Sequence, residues 1–223
     1  MKAKHSSRQE DHFHGSNSSW GKLQEYLGEF VYGGIDGSVT TFAVVAGAAG
    51  AELSASIVLI LGFANLIADG FSMSVGAYLS TQSERDNYEK HKRVEYWEVE
   101  NMPKREEEEV REIYAAKGFE GELLEQVVAK ITENKDRWVD VMMKEELEMV
   151  PETKSPWMMG LLTFISFFVV GLIPLLIYVF NYLNGIVVAN TFLIASVLTS
   201  MAFVGIGWLK SMVTQTNRLK RVW

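Results

Sequence analysis

Carboxylate and thioether side chains recur at helical spacing in the middle of the chain. The pairs stand three or four residues apart on three successive predicted helices: Glu95 and Glu98, Glu106 and Glu109, and Met142 and Glu146, with Met143 adjacent. Side chains at these spacings share a helix face, so each pair could offer two ligands to one ion. Carboxylate oxygens combined with methionine sulfur suit a first-row transition ion rather than calcium or magnesium. The alternative is that 106–109 is a solvated acidic run that binds nothing.

A second set of polar residues lies in apolar segments. Asp36 interrupts one of them, and in the next Asn65, Asp69 and Met73 recur every four residues, so they line one helix face. A carboxylate within a bilayer costs on the order of 2.5 kcal/mol or more, which makes such residues functional candidates. The alternatives are protonated carboxyls that only hydrogen-bond between helices, and a methionine that only packs.

Glycines accompany these polar residues in both segments: Gly33, Gly37, Gly62, Gly70 and Gly76. Small residues let membrane helices approach closely, so we expect the carboxylates of the two helices to share one site. The polar faces of the two helices would then lie toward each other.

The elements that must position these residues are transmembrane helices. Neither 23–84 nor 155–209 contains Lys or Arg, and each block is long enough for two spans of about 20 residues. The predicted spans are 31–51, 57–79, 158–180 and 187–209. Lys and Arg lie in both terminal tails and in the middle segment but not in the two short hairpin turns, so we expect both termini and the middle segment in the cytosol.

This pattern predicts an all-α, polytopic membrane protein with an inserted cytosolic helical domain. The predicted order is a tail at 1–28, hairpins at 29–80 and 155–210, an acidic metal-binding domain at 81–154 and a basic tail at 211–223. The acidic domain holds 21 Asp and Glu against 13 Lys and Arg in a chain of net charge −7, which favours cations and argues against nucleic acid. Residues 83–101 should continue the second span, Pro103 should begin a helix to about 117, and 122–149 should form a helix or helix pair.

Other chemistries lack their residues. The chain has no cysteine, and none of its four histidines forms Glu-x-x-His or His-Glu-x-x-His. His5, His12 and His14 indicate a flexible polar tail rather than a metal site. No nucleophile elbow or phosphate loop occurs, so the sequence predicts neither an enzyme nor an organic cofactor.

Together these segments resemble the vacuolar iron transporter family. The resemblance covers about 29–210 and is carried by Tyr32-Gly33-Gly34-Ile35-Asp36-Gly37, 64–78, 138–147 and Gly171-Leu172-Ile173-Pro174-Leu175. It implies a homodimer with a three-helix cytosolic metal-binding domain. It also implies movement of Fe²⁺, with Mn²⁺ or Zn²⁺ as alternatives, out of the cytosol in exchange for protons.

The resemblance also assigns residue roles. Asp36 and Met73 match ligands of the translocation path, and the cytosolic ligands match Glu95, Glu98, Glu106, Glu109, Met142, Met143 and Glu146. Asn65 stands where plant members carry a glutamate, and Asp69 supplies a carboxylate one turn later. Asp36 and Asp69 are the candidates for proton coupling, because metal binding competes with protons on carboxylates. The family usually has five spans, so we expect a further span beyond Trp223.

Two functions from other classes stay open at this point. In a membrane-anchored metal buffer or sensor, the acidic domain would bind ions while the helices only anchor and dimerise. An intramembrane aspartyl protease is suggested by the two membrane aspartates, but its Gly-x-Gly-Asp element is missing. For the transporter we expect the plasma membrane in a prokaryote and the vacuolar membrane in a eukaryote.

Overall fold

The computed structural model describes residues 19–186 and 188–213, and every regular element in that part of the chain is helical. In chain order the helices are α1 Ser19–Gly50, α2 Ala55–Asn101, α3 Pro103–Ala116, α4 Gly121–Thr132, α5 Lys135–Val141, α6 Pro156–Gly171, α7 Leu176–Asn184 and α8 Thr191–Val213. The all-α prediction is therefore confirmed. The described residues divide into two compact units: a membrane unit formed by those up to 79 and from 154 onward, and an inserted unit of 80–153.

Among the described residues, four helical stretches are long and apolar enough to cross a membrane: Tyr26–Gly50, Ala55–Asn101, Pro156–Asn184 and Thr191–Ser211. The four predicted spans are confirmed in number and order. The fourth was placed too early, because Gly185 ends α7 in a left-handed conformation, with φ of 62°, and Asn190 has φ of 58° before α8 begins. The connection between the last two spans is thus as long as predicted but lies four residues later, at 185–190.

The third span is not one continuous α-helix. A 3₁₀ turn, Ile173–Leu175, separates α6 from α7 and contains Pro174. Proline has no amide hydrogen and its ring crowds the preceding turn, so the regular hydrogen-bond ladder stops there. The span predicted for 158–180 is present as Pro156–Asn184, with this turn inside it.

Glycines of α1 pack against α6. A β-carbon built on Gly33 would lie 2.9 Å from the carbonyl oxygen of Thr163, and one on Gly37 would overlap the carbonyl of Phe167. From the other side, a β-carbon on Gly171 would lie 2.8 Å from the carbonyl oxygen of Gly37. The two backbones therefore touch, which only glycine allows. These glycines were expected to face α2, whereas Gly33 and Gly37 lie against α6.

The inserted unit begins with the last part of α2, which continues from the second span without a break, as predicted. Pro103 occupies the first turn of α3, where its missing donor costs nothing. The predicted helix or helix pair at 122–149 divides at Asn134, whose side-chain oxygen accepts a hydrogen bond 2.9 Å long from the amide of Arg137 and caps α5. A π-helical turn, Met142–Glu146, then ends the unit's helices.

Several predicted features fall outside the described residues. They are the tail histidines His5, His12 and His14 and the flanking basic residues Lys2, Lys4, Arg8, Arg218, Lys220 and Arg221.

Candidate metal centre

All five predicted glutamates of the inserted unit come together in one cluster. Their carboxylates form two overlapping groups, Glu95 with Glu98 and Glu106, and Glu106 with Glu109 and Glu146. Within each group one oxygen of every carboxylate lies within 4.8 Å of the others. Glu106 belongs to both groups, so the cluster, called here the glutamate cluster, has two adjoining groups of carboxylates that could each hold a cation.

Three elements position the glutamate cluster. The i, i+3 spacing aims Glu95 and Glu98 from one face of α2, and the same spacing aims Glu106 and Glu109 from α3. Glu146 comes from the π-helical turn, in which the amide of Leu147 bonds the carbonyl of Met142 at 3.2 Å. Such π turns are rare and frequently mark functional sites.

Two of these carboxylates are buried without hydrogen-bond partners. Glu95 is 3% exposed and Glu106 is 2% exposed, and the Oε2 atom of each has no partner. An ionised carboxylate in such a place loses hydration and gains nothing in return. A bound cation would supply the missing interaction, which distinguishes this cluster from a solvated acidic face.

Burial raises the pKa of Glu95 from 4.5 to about 7, and repulsion from Glu146 and the other cluster carboxylates adds to the shift. Burial likewise raises the pKa of Glu106 from 4.5 to about 7, with repulsion from Glu109 as the second cause. A carboxyl with a raised pKa stabilises the fold below its unfolded pKa and loses that contribution as the pH rises through 7. Without metal, the buried and mutually repelling carboxylates of Glu95 and Glu106 therefore destabilise the inserted unit at pH 8.

We expect Glu106→Gln to stabilise the metal-free inserted unit at pH 8, because the amide keeps the shape of the side chain and removes its buried charge. Each pKa unit between the folded and unfolded states changes the opening equilibrium about tenfold, and amide hydrogen exchange reports that equilibrium. Exchange in α3 should therefore slow at least about tenfold. At pH 5 both side chains are neutral and the difference should largely vanish. Glu112→Gln removes a charge from an exposed position of the same helix and is the control. Equal slowing in both variants would show that only net charge matters.

The two methionines predicted as sulfur ligands lie in the apolar core of the inserted unit. Met142 and Met143 are both fully buried, in a cluster that includes Val110, Trp138 and Val139. They come from the same π-helical turn as Glu146, so the turn contributes to the core and to the glutamate cluster together. Ligation by their sulfur atoms stays a prediction.

Sequence reasoning overlooked Arg105. Its Nε atom donates to Oε1 of Glu109 at 3.0 Å, so a cation of the chain itself lies against the glutamate cluster. The signal was present, because arginine and glutamate four residues apart on a helix commonly pair.

The membrane unit places the other predicted residues at the junction of α1 and α2. Asp36 is half-buried, Asp69 is exposed, and the carboxylate of Asp69 is close enough to repel that of Asp36. The Nδ2 atom of Asn65 donates to Oγ1 of Thr40 at 3.4 Å, and Thr40 in turn bonds the carbonyl of Asp36 at 2.9 Å. Asp36, Asn65 and Asp69 are thus near one another.

Met73, the fourth predicted residue, is partly buried against the apolar core of the membrane unit. That packing gives the methionine a structural role, and its service as a path ligand stays a prediction. A further carboxylate, Glu29, was not singled out by the sequence analysis. It lies two helical turns before Asp36, and its Oε2 atom accepts a hydrogen bond 3.4 Å long from Thr163. Its seven-residue spacing from Asp36 was the available signal.

The fold and the glutamate cluster together define a multi-pass α-helical membrane protein with an inserted, carboxylate-rich helical unit. The model of the VIT family matches residues 27–223. The chain belongs to this family, which confirms the resemblance drawn from its motifs.

Named relatives agree with this assignment. A vacuolar iron transporter of Toxoplasma gondii is 38% identical, over 88% of this chain and 67% of that protein. Vacuolar iron transporter 1 of Eucalyptus grandis is 36% identical over 88% of this chain and 78% of its own length. Vacuolar iron transporter 1 of Arabidopsis thaliana is 34% identical over 88% and 77% respectively.

Proposed function

We propose that this chain transports Fe²⁺ out of the cytosol across a membrane, with Mn²⁺ or Zn²⁺ as alternative cargo. The relatives are named iron transporters, and metal-ion transport is the activity their names support. The observation that carries the proposal is the pair of buried, unpartnered carboxylates of Glu95 and Glu106 within a five-glutamate cluster. In this proposal the inserted unit lies in the cytosol and gathers the ion.

The proposed path runs along the carboxylates of α1 and α2. Asp69 is exposed on a helix otherwise apolar enough to cross a membrane, and lipid is a poor environment for a carboxylate. On α1, the large apolar side chains of Tyr32 and Val39 are exposed one helical turn to either side of Asp36. A second copy of the chain packed on this face would shield Asp69 and enclose a path lined by Asp36, Asn65, Asp69 and Met73. We therefore propose a homodimer.

Exchange for protons follows from the same groups. A metal ion binds ionised carboxylates, so each binding event releases any proton they hold, and protonation on the opposite side favours release. In the path we assign this role to Asp36 and Asp69. The coupling would let a proton gradient drive the metal against its own gradient.

Proteoliposomes test this function directly. The full chain, reconstituted with an acidic lumen and given anaerobic Fe²⁺ outside, should accumulate iron, and collapsing the proton gradient should stop accumulation. A large excess of Mg²⁺ should compete poorly if methionine sulfur joins the carboxylates as a ligand, as we propose. Equal competition by Mg²⁺ would contradict a transition-metal site, and gradient-independent uptake would contradict proton exchange.

A membrane-anchored metal buffer or sensor is the second candidate. One observation favours it: all five glutamates of the cluster belong to the inserted unit, so ion binding there requires no residue of the membrane unit. The same proteoliposomes distinguish the two functions. A buffer binds Fe²⁺ stoichiometrically with no accumulation in the lumen, whereas a transporter accumulates many ions per chain.

A further inference from the structure

Arg105 lies at the rim of the glutamate cluster, paired with one of its members. The Nε atom of Arg105 and Oε1 of Glu109 are 3.0 Å apart. The arginine side chain is 69% exposed and that of Glu109 is 26% exposed. The pair therefore joins a solvated cation to a carboxylate that forms one of the two candidate cation-binding groups, with Glu106 and Glu146.

The charge of Arg105 reaches beyond its partner. Its guanidinium attracts Glu106 and Glu98 as well as Glu109, and it offsets part of the repulsion that Glu106 and Glu146 experience. In the absence of metal it is thus a partial substitute for a bound cation. A divalent ion that binds Glu109 would have to displace Arg105 from its ion pair with Glu109. Until Arg105 moved away, its positive charge would also repel the ion.

We propose that Arg105 is a tethered competing cation, which pairs with Glu109 in the metal-free cluster and swings into solvent when a metal ion binds. This inference rests on the proposed function, since it takes the glutamate cluster as a metal site. The buried, unpartnered oxygens of Glu95 and Glu106 are the independent sign that the cluster receives a cation.

The exposure of Arg105 makes such a movement easy. An arginine that leaves an exposed ion pair regains full hydration, and exposed i, i+4 pairs are weak, so displacement costs little. The free energy needed to break the Arg105–Glu109 pair nevertheless weakens metal binding by the same amount. A transporter benefits, because an ion held less tightly by the glutamate cluster leaves it sooner.

A second arginine on the same helix provides a matched control. Arg111 pairs with Glu107, Glu108 and Glu125 at 2.9, 2.6 and 3.0 Å. None of these glutamates belongs to the two carboxylate groups of the cluster. Arg111→Gln therefore removes the same charge from α3 without removing a competitor from the cluster.

The experiment is anaerobic titration calorimetry of Fe²⁺ on the full chain in detergent at pH 7.5 and low salt. Arg105→Gln should bind Fe²⁺ roughly three to ten times more tightly than the parent, as expected for loss of an exposed ion pair and of local repulsion. Arg105→Lys, which keeps the charge, should stay within about twofold of the parent, and so should Arg111→Gln. The gain in Arg105→Gln should shrink at high salt, where the charge is screened.

The outcomes separate two failures. Parental protein that binds no Fe²⁺ would overturn the metal site, and the role of Arg105 with it. Normal parental binding with unchanged or weaker binding in Arg105→Gln would overturn only the role of Arg105. Equal tightening in Arg105→Gln and Arg111→Gln would overturn it too, since net charge would then explain the effect.

Discussion

Asp36→Asn is expected to reduce Fe²⁺ accumulation in proteoliposomes by about 100-fold or more, while the chain still folds and inserts. Asparagine keeps the shape of aspartate but removes the charge and the exchangeable proton. Loss of groups that merely support a metal ligand typically costs 10–100-fold, so loss of a ligand itself should cost at least as much. Asp36 is half-buried beside Thr40, whereas Asp69 is exposed, so the two carboxylates are not equivalent and we do not expect Asp69 to replace Asp36.

The control is Glu52→Gln. Glu52 is an exposed carboxylate in the turn between α1 and α2, so the variant loses one charge from the membrane unit without touching the proposed path. It should accumulate iron at the parental rate. If Asp36→Asn did the same, Asp36 would be a structural hydrogen-bonding residue, as the alternative interpretation of its burial holds. Iron binding by the inserted unit should be unchanged in both variants, which confirms that they are folded.

The affinity of the glutamate cluster for Fe²⁺ should fall by about 100-fold between pH 8 and pH 6. Glu95 and Glu106 both have a pKa raised to about 7, chiefly by burial and next by repulsion from the other carboxylates. At pH 8 both are mostly ionised, and at pH 6 both mostly carry a proton that the metal must displace. Each such group weakens binding about tenfold over this interval, and two groups multiply to about 100-fold.

Calorimetry in buffers of different ionisation enthalpy measures this effect together with its cause. About two protons should leave the full chain per Fe²⁺ bound at pH 6, and very few at pH 8. Glu106→Gln provides the comparison, because it removes one of the two titrating groups and should leave about one proton. Affinity that is the same at both pH values would show that the buried glutamates stay ionised without metal, contrary to their environment.

Local spacing allowed much of this protein to be predicted from sequence. The pairs Glu95 with Glu98 and Glu106 with Glu109 lie on α2 and α3 as expected, because residues three apart share a helix face in any helix. The start of α3 at Pro103 follows an equally local rule, because a helix tolerates proline only in its first turn. The four long apolar helices follow from the number of residues needed to cross a bilayer.

Partner choice between helices could not be predicted in this way. Gly33 and Gly37 indicated a close approach, but the approaching helix is α6, more than a hundred residues later. A glycine pattern reports that a backbone comes near without identifying it. The exposure of Asp69 is similarly a property of how the helices pack, since the sequence places this carboxylate in an apolar span without showing what covers it.

The tertiary structure also decided the chemistry of the glutamate cluster. Sequence by itself determined which carboxylates were candidates and on which helices they lie. Only the packing of α2, α3 and the π-helical turn places Glu106 in both carboxylate groups, buries it with Glu95, and brings Arg105 against Glu109 at the rim. The raised pKa values depend on that burial, because desolvation and repulsion arise from neighbours contributed by separate helices.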